Sequence, residues 1–318
     1  MRAAFLDWDS LNGNELDKSR LDALPVEWQY FANIERGQLE QCIDDYDILV
    51  SNKTNIDKPL LSRTQRLKLI CVAATGTNNV DLQSSADKQI MVTNVRGYAT
   101  ESVVQHVFML MLNLMRRFSE YQHSLAKGDW QRSEHFCLLN HRVESLSGKT
   151  LGIIGYGELG RAVAKMGQCF GMKILIAESL NKNKQQNDRL PLAEIYTQAD
   201  VISLHCPLTA ETENLINHEV FSKMKNTAFL INTARGGIVN EQDIFDALNS
   251  HTIAGAALDV LNQEPPDSNQ KLINATLPNL IVTPHIAWAS HQSRQNLLDK
   301  VAENIQAWLA GNVMNQVN

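Results

Sequence analysis

The chain has no excess of basic residues, no paired cysteines and no long apolar run. Its 318 residues carry 29 Lys and Arg against 35 Asp and Glu, a net charge of −6. Neither nucleic acid nor an anionic membrane surface is therefore expected as a main partner, since both select a basic surface. A small anionic substrate stays open, because one arginine is enough to hold it. The five cysteines (Cys42, Cys71, Cys137, Cys169 and Cys206) are scattered, odd in number and never spaced Cys-x-x-Cys. A disulfide framework or a zinc site is not expected, and a reducing cytoplasm fits best. The most apolar stretch, VVQHVFMLMLNLM at 103–115, is interrupted by Gln105, His106 and Asn113. Its unbroken part, 107–112, falls far short of the roughly 20 residues a membrane span needs. No signal peptide is expected either, because Asp7 and Asp9 break the apolar start MRAAFLDWD. What remains, 44% hydrophobic and 20% charged, is an ordinary globular composition. The length suits one large domain or two of common size.

Two stretches of the chain alternate strand-like runs with helical or polar ones. In the first, RAAFL (2–6), EWQYFA (27–32), DILVS (47–51), KLICVAA (68–74) and IMVTNV (90–95) read as strands. Segments 14–24 and 60–67 carry helical spacing between them. This is the rhythm of a parallel sheet covered by helices. A helix over about 100–118 is apolar almost all round, which suits a position between packed bodies. Residues 119–147 show no clear period and read as a surface excursion or an arm exchanged with a second subunit. From 149 the rhythm resumes with TLGIIG, KILIA, DVISLHC, AFLIN, IAGAALDV and LIVTPH. Helices or connections are expected after the first, second, fourth and fifth of these. From 291, Leu297, Val301, Ile305 and Trp308 mark one face of an amphipathic helix. Two α/β parallel sheets in tandem fit this order better than one enlarged sheet.

The stretch GIIGYGELGRA places Gly155, Gly157 and Gly160 in the order G-x-G-x-x-G. The pattern alone is weak, but here a buried strand precedes it and a helical pattern follows. In such a turn the first glycine allows a tight bend, the second lets backbone approach a pyrophosphate, and the third lets helix pack on strand. The amides of Glu158 and Leu159 then open a helix whose positive end faces the phosphates. Glu178 ends the next strand, near the spacing expected for a carboxylate that accepts hydrogen bonds from a ribose diol. It disfavours a 2′-phosphate, so NAD is expected over NADP, with Lys182 and Lys184 just beyond able to soften that choice.

In an open parallel sheet, ligands bind outside the carboxyl ends of the strands. The third strand of this half delivers His205, Cys206 and Pro207 there. The fourth runs into Arg235, the fifth into Asp259 and then Glu264, and the sixth into His285. Hydride transfer to a 2-oxo acid requires an anchor for the carboxylate, a proton donor to the ketone and a group that keeps the donor charged. A guanidinium suits the first, an imidazole the second and a carboxylate the third. Glu264 is preferred as the partner of His285, and Asp259 is assigned to the nicotinamide carboxamide, although spacing alone does not choose between them.

The motifs GIIGYGELGRAVA, HCPLTAETENLI, LINTARGGIVNE, ALDVLNQEPP and VTPHIAWAS, with AATGTNNVDL at 73–82, resemble the D-isomer-specific 2-hydroxyacid dehydrogenase family over nearly the whole chain. AATGTNNVD, GYATESVVQH and PHIAWAS look like its glycerate dehydrogenase (hydroxypyruvate reductase) branch. The resemblance implies catalytic roles for Arg235, Glu264 and His285. It implies cofactor contacts at Glu158, Leu159, Glu178, Cys206 with Pro207, Thr233 and Asp259, and substrate contacts at Thr75 and Gly76. It implies a discontinuous flavodoxin-like substrate domain (1–98 and 286–318) around a Rossmann NAD domain (99–285). It also implies a homodimer formed through the helix and arm 100–147. Trp288 stands where many members have glycine, and Glu178 where many have aspartate. Asn52 and Lys53 end a strand of the first half, where a substrate contact and a surface role are both open. The expected activity is NAD-dependent reduction of hydroxypyruvate to D-glycerate and its reverse. Other 2-oxo acids, such as glyoxylate or pyruvate, and a non-catalytic NAD-sensing protein of the same fold are the alternatives.

Overall fold

The computed structural model describes residues 1–180 and 188–318; Lys182 and Lys184 lie outside the described residues. The chain divides into two compact units. One comprises Met1–Ala99 with Trp288–Asn318, and the other Thr100–Ala287.

The first unit holds five strands: β1 (Arg2–Phe5), β2 (Glu27–Tyr30), β3 (Ile48–Ser51), β4 (Leu69–Val72) and β5 (Met91–Thr93). All pair in parallel, in the order β2-β1-β3-β4-β5. The runs ILVS and LICV are buried along their whole length, as strands covered on both faces must be. One face packs Phe5, Ile48, Val50, Leu69 and Cys71 against Leu297, Leu298, Val301 and Ile305 of the helix His291–Leu309. The C-terminal segment therefore completes the first sheet's core. Ser290 caps that helix by accepting the Ser293 amide. The 14–24 segment forms only a 3₁₀ turn, Gly13–Glu15, and one helical turn, Ser19–Asp22. The helix expected over 60–67 lies at Lys58–Leu61, where Asp57 accepts the Leu60 amide as its N-cap.

The second unit holds β6 (Thr150–Ile154), β7 (Lys173–Ile176), β8 (Val201–Leu204), β9 (Phe229–Asn232), β10 (Gly255–Leu258) and β11 (Leu280–Val282). They pair in parallel, in the order β11-β10-β9-β8-β6-β7. The order turns back between β6 and β8, which puts the switch point beside the strand that ends in the glycine turn. All eleven expected strands are found, most of them shorter than the sequence runs, in two parallel α/β sheets.

The long helix spans Thr100–Arg116 and stops where Arg117 takes φ 54°. A further helix, Phe118–Ala126, occupies the start of the stretch whose sequence shows no clear period. Only Ser124 in it is buried, so it has no apolar stripe facing its own unit. Another helix, His218–Lys223, follows β8, where the sequence predicts none. It is six residues long, too short to show a period, and Asn217 caps it through the Val220 amide. Among the described residues no helix is long and apolar enough to cross a membrane.

Candidate active site

The glycine turn joins β6 to the helix Glu158–Cys169. Gly155 has φ 94°, and an added Cβ there would lie 2.4 Å from the Cys206 amide nitrogen. A Cβ on Gly160 would lie 2.1 Å from the Gly155 carbonyl oxygen. Helix and turn are thus in backbone contact, which only a missing side chain permits. Gly157, by contrast, has nothing within 4 Å of such a carbon. It precedes the helix as its N-cap, so the open space lies where the first helical amides point outward. The carboxylate of Glu158 accepts a hydrogen bond from the Thr100 hydroxyl at the start of the long helix.

Two buried polar atoms at the same sheet edge have no partner among the described residues: Nδ1 of His205, just after β8 and against the glycine turn, and Oγ1 of Thr233, just after β9. Burial pushes His205 down to about 4, so the ring is neutral near pH 7, and Oγ of Ser203 holds its Nε2 at 2.9 Å. Burial likewise pushes the Cys206 thiol up to about 11, which makes it a small apolar wall rather than a nucleophile. Glu178 lies two residues past β7, where its amide donates to the Leu190 carbonyl. An open helix N-terminus, a Cβ-free approach and orphaned polar atoms at one sheet edge fit a dinucleotide.

At the same edge, His285 Nδ1 lies 2.6 Å from Glu264 Oε2. The other carboxylate oxygen of Glu264 accepts the Leu261 amide at 2.9 Å, which orients it. Since a carboxylate only accepts, Nδ1 carries a proton in this contact, which fixes the orientation of the ring and leaves Nε2 for a substrate. Arg235 follows β9, is exposed, and donates from Nη1 to the Ala234 carbonyl at 2.7 Å. A Cβ on Gly236 would lie 2.1 Å from the Leu261 carbonyl, so the turn carrying Arg235 packs directly on the turn leading to Glu264.

Asp259 is 1% exposed, accepts three hydrogen bonds and has His106 close by. Thr283 Oγ1 donates to Oδ1 at 2.6 Å, Ile286 N to Oδ1 at 3.0 Å and Ala287 N to Oδ2 at 2.9 Å. His106 Nε2 stands 3.4 Å from Oδ1. Burial raises the Asp259 carboxyl, but the nearby His106 ring and the hydrogen bonds from Thr283 and the two amides outweigh it, and the group sits below the usual carboxylate range. Oδ2 retains acceptor capacity beyond the Ala287 amide, so the role expected at the nicotinamide carboxamide is chemically open to it.

In the first unit, Thr75 and Gly76 follow β4. The Thr75 hydroxyl donates to the Val95 carbonyl, and the Thr75 carbonyl accepts from Asn94. Asp7, 3% exposed, accepts the amides of Asn52, Lys53 and Thr54 and fixes that loop. Asn52 is buried and donates to Ser10. Lys53 is exposed and lines a cavity of about 470 Å³ with Asp9, Arg36 and Asn55. Trp288 packs edge-to-face on Tyr98, 6.3 Å between ring centroids.

The family model described as D-isomer specific 2-hydroxyacid dehydrogenase, NAD binding domain, matches residues 108–287. The chain belongs to this family of dehydrogenases. A glycerate dehydrogenase of Methylorubrum extorquens is 42% identical over 317 residues, 99% of this chain and 98% of its own. A hydroxypyruvate reductase of Blautia hydrogenotrophica is 35% identical, with both chains covered in full. Among solved structures, the TT0316 protein of Thermus thermophilus superposes with a TM-score of 0.86 at 34% identity, again over both full chains.

Sequence reasoning about this dehydrogenase misses three groups close to Asp259 and His285. His106 and Ser102 on the long helix, and Thr283 at the end of β11, hold the segment that carries His285. In the sequence, the polar residues of that helix read as interruptions of an apolar run and as part of the motif GYATESVVQH, with no role of their own. Their spacing of four, on one helical face, is the available signal. Arg189 stacks over the Tyr156 ring of the glycine turn at 5.7 Å, a contact between turns that no spacing rule announces.

Proposed function

We propose that the protein catalyses NADH-dependent reduction of hydroxypyruvate to D-glycerate, and the reverse reaction. The observation that carries this reading is the 2.6 Å contact between His285 Nδ1 and Glu264 Oε2, beside the Arg235 turn and on the sheet edge that also carries the glycine turn. The branch motifs, and relatives named glycerate dehydrogenase and hydroxypyruvate reductase, support the choice of substrate.

Arg235 binds the substrate carboxylate through its planar fork and draws electron density from the adjacent carbonyl. Glu264 fixes the imidazole through Nδ1, so that Nε2 gives its proton to the carbonyl oxygen in reduction and takes it back in oxidation. Bound NADH supplies the hydride that reaches the carbonyl carbon. Gly155, Gly157 and Gly160 admit the pyrophosphate to the Glu158 and Leu159 amides, and Glu178 accepts the ribose hydroxyls. Cys206, Pro207 and Thr233 would line the cofactor, Asp259 would take its carboxamide, and the Thr75–Gly76 turn would donate amides to the substrate carboxylate. The same reading makes the protein a cytoplasmic homodimer. Its dimer contact is assigned to the long helix and the arm, where Phe136 and Leu139 are 91% and 83% exposed.

The test is NADH oxidation with hydroxypyruvate, glyoxylate, pyruvate, a branched 2-oxo acid and phosphohydroxypyruvate. Hydroxypyruvate should give the highest kcat/KM. Tight NADH binding without turnover of any of them would return the reading to an NAD-sensing protein.

A further inference from the structure

We propose that His106 is a positioning residue for proton transfer: from the long helix it fixes Asp259, and through Asp259 the backbone that presents His285. The inference rests on the reading of His285 as the proton donor.

The segment 283–287 is wound around Asp259. The Asp259 carbonyl accepts the His285 amide at 2.9 Å, and its carboxylate accepts the amides of Ile286 and Ala287. His285 itself has φ 54°, a left-handed conformation that a residue with a Cβ adopts at a cost and keeps only when its surroundings impose it. Asp259 provides that imposition, and it needs to be held in turn.

The hydrogen-bond directions show what holds it. Thr283 Oγ1 lies 2.6 Å from Asp259 Oδ1, and a carboxylate only accepts, so the threonine proton is committed there. The 3.0 Å contact between Thr283 Oγ1 and His106 Nε2 must then run from histidine to threonine. Nε2 therefore carries a hydrogen whether the ring is neutral or charged, and Asp259 Oδ1 lies 3.4 Å from the same nitrogen. The His106 side chain is 10% exposed, so water does not compete for this bond as it would at a surface. One turn earlier on the same face, Ser102 Oγ donates to the Ala287 carbonyl at 2.7 Å. The helix thus grips both ends of the segment that bears His285.

A misplacement of about 1 Å at a catalytic group can cost on the order of 100-fold in rate. His106→Leu should therefore lower kcat by about 10- to 100-fold, with substrate KM changed less than about threefold. Gln carries its donor nitrogen at the reach of Nε2, whereas Asn stops at the reach of Nδ1. His106→Gln should stay within about threefold of wild type, and His106→Asn should fall as the leucine variant does. Amide hydrogen exchange at Ile286 and Ala287, followed by NMR, should quicken in the Leu and Asn variants and not in Gln, while the β9 amides stay protected. Each change is also made on a His285→Ala background, where no further loss of turnover is expected because His106 acts through His285.

Equal activity of the Asn and Gln variants, unchanged exchange at 286 and 287, or a full independent loss on the His285→Ala background would each overturn the inference. If the leucine variant does not fold, the Asn and Gln pair decides. Unchanged turnover in His285→Ala alone would instead defeat the reading of His285, whatever the His106 variants do.

Discussion

Two glycines of one turn should separate folding from cofactor binding. Replacing Gly160 by alanine puts a methyl carbon 2.1 Å from the Gly155 carbonyl oxygen, where real contacts essentially never fall below 3.0 Å. The obstacle is backbone, so helix and strand must part by about 1 Å. Overpacking of this kind costs about 1–3 kcal/mol, which in a unit of this size lowers Tm by about 3–10 °C. Replacing Gly157 meets nothing within 4 Å, and its φ of −80° suits alanine. Apart from a slightly poorer N-cap, the fold should not notice, and Tm should move by less than about 2 °C. On the proposed reading, the added methyl would instead occupy the space through which a pyrophosphate reaches the helical amides. Loss of one hydrogen bond to a charged group, about 1.5–3 kcal/mol, weakens NADH by about 10- to 100-fold. Thermal unfolding of the cofactor-free protein and fluorescence titration with NADH read the two effects separately. Wild-type NADH affinity in Gly157→Ala would refute the placement of the phosphates, and a wild-type Tm in Gly160→Ala would refute the packing argument.

His285→Ala should lower kcat by about 10²–10⁴ with NADH affinity retained; unchanged turnover in a stopped-flow assay removes its role. Reduction uses a protonated imidazole and oxidation an unprotonated one, so the two chemical steps should fall off toward opposite ends of the pH range, and parallel profiles would contradict the assignment. Glu178→Ala should raise the NADPH-to-NADH ratio of kcat/KM by about tenfold or more, because a carboxylate at the ribose no longer repels the 2′-phosphate; an unaltered ratio places cofactor choice elsewhere. Burial raises the Asp200 carboxyl, but Lys225 Nζ at 2.8 Å and the Thr150 amide outweigh it and hold the group below its ordinary value. A folded-state value below the unfolded one stabilises above the unfolded value and is lost as pH falls through the folded one. Asp200→Asn should therefore lower Tm at pH 7, and the gap to wild type should start to close only as pH falls below about 4; a gap that stays constant on further acidification would show the carboxylate is not the cause. Phe136→Glu with Leu139→Glu should turn a dimer into a monomer by light scattering, and a monomeric wild type would sink the assignment of the arm.

The parts of this molecule legible in its sequence are those where one local requirement dominates. Buried strands such as ILVS and LICV show as continuous apolar runs because both faces are covered. The glycine turn shows because no side chain fits against Gly155 and Gly160. The helix His218–Lys223 does not show, since six residues held by one asparagine cap leave no period to read. Phe118–Ala126 does not show because its apolar residues Phe118 and Leu125 stay exposed rather than facing a core of its own unit. The order of β8 to β11 is enough to bring Arg235, Asp259, Glu264 and His285 to one edge, since parallel strands all deliver their ends to the same side. It is not enough to decide between the two carboxylates, because Asp259 precedes the β10 turn and Glu264 lies within it. Depth and direction separate them. Asp259, 1% exposed, spends its acceptors on Thr283 and the amides of Ile286 and Ala287, while Glu264 aims Oε2 at the imidazole. A buried carboxylate that organises backbone and a half-exposed one that pairs with a ring do different work, and the chain needs both to hold His285 in one place.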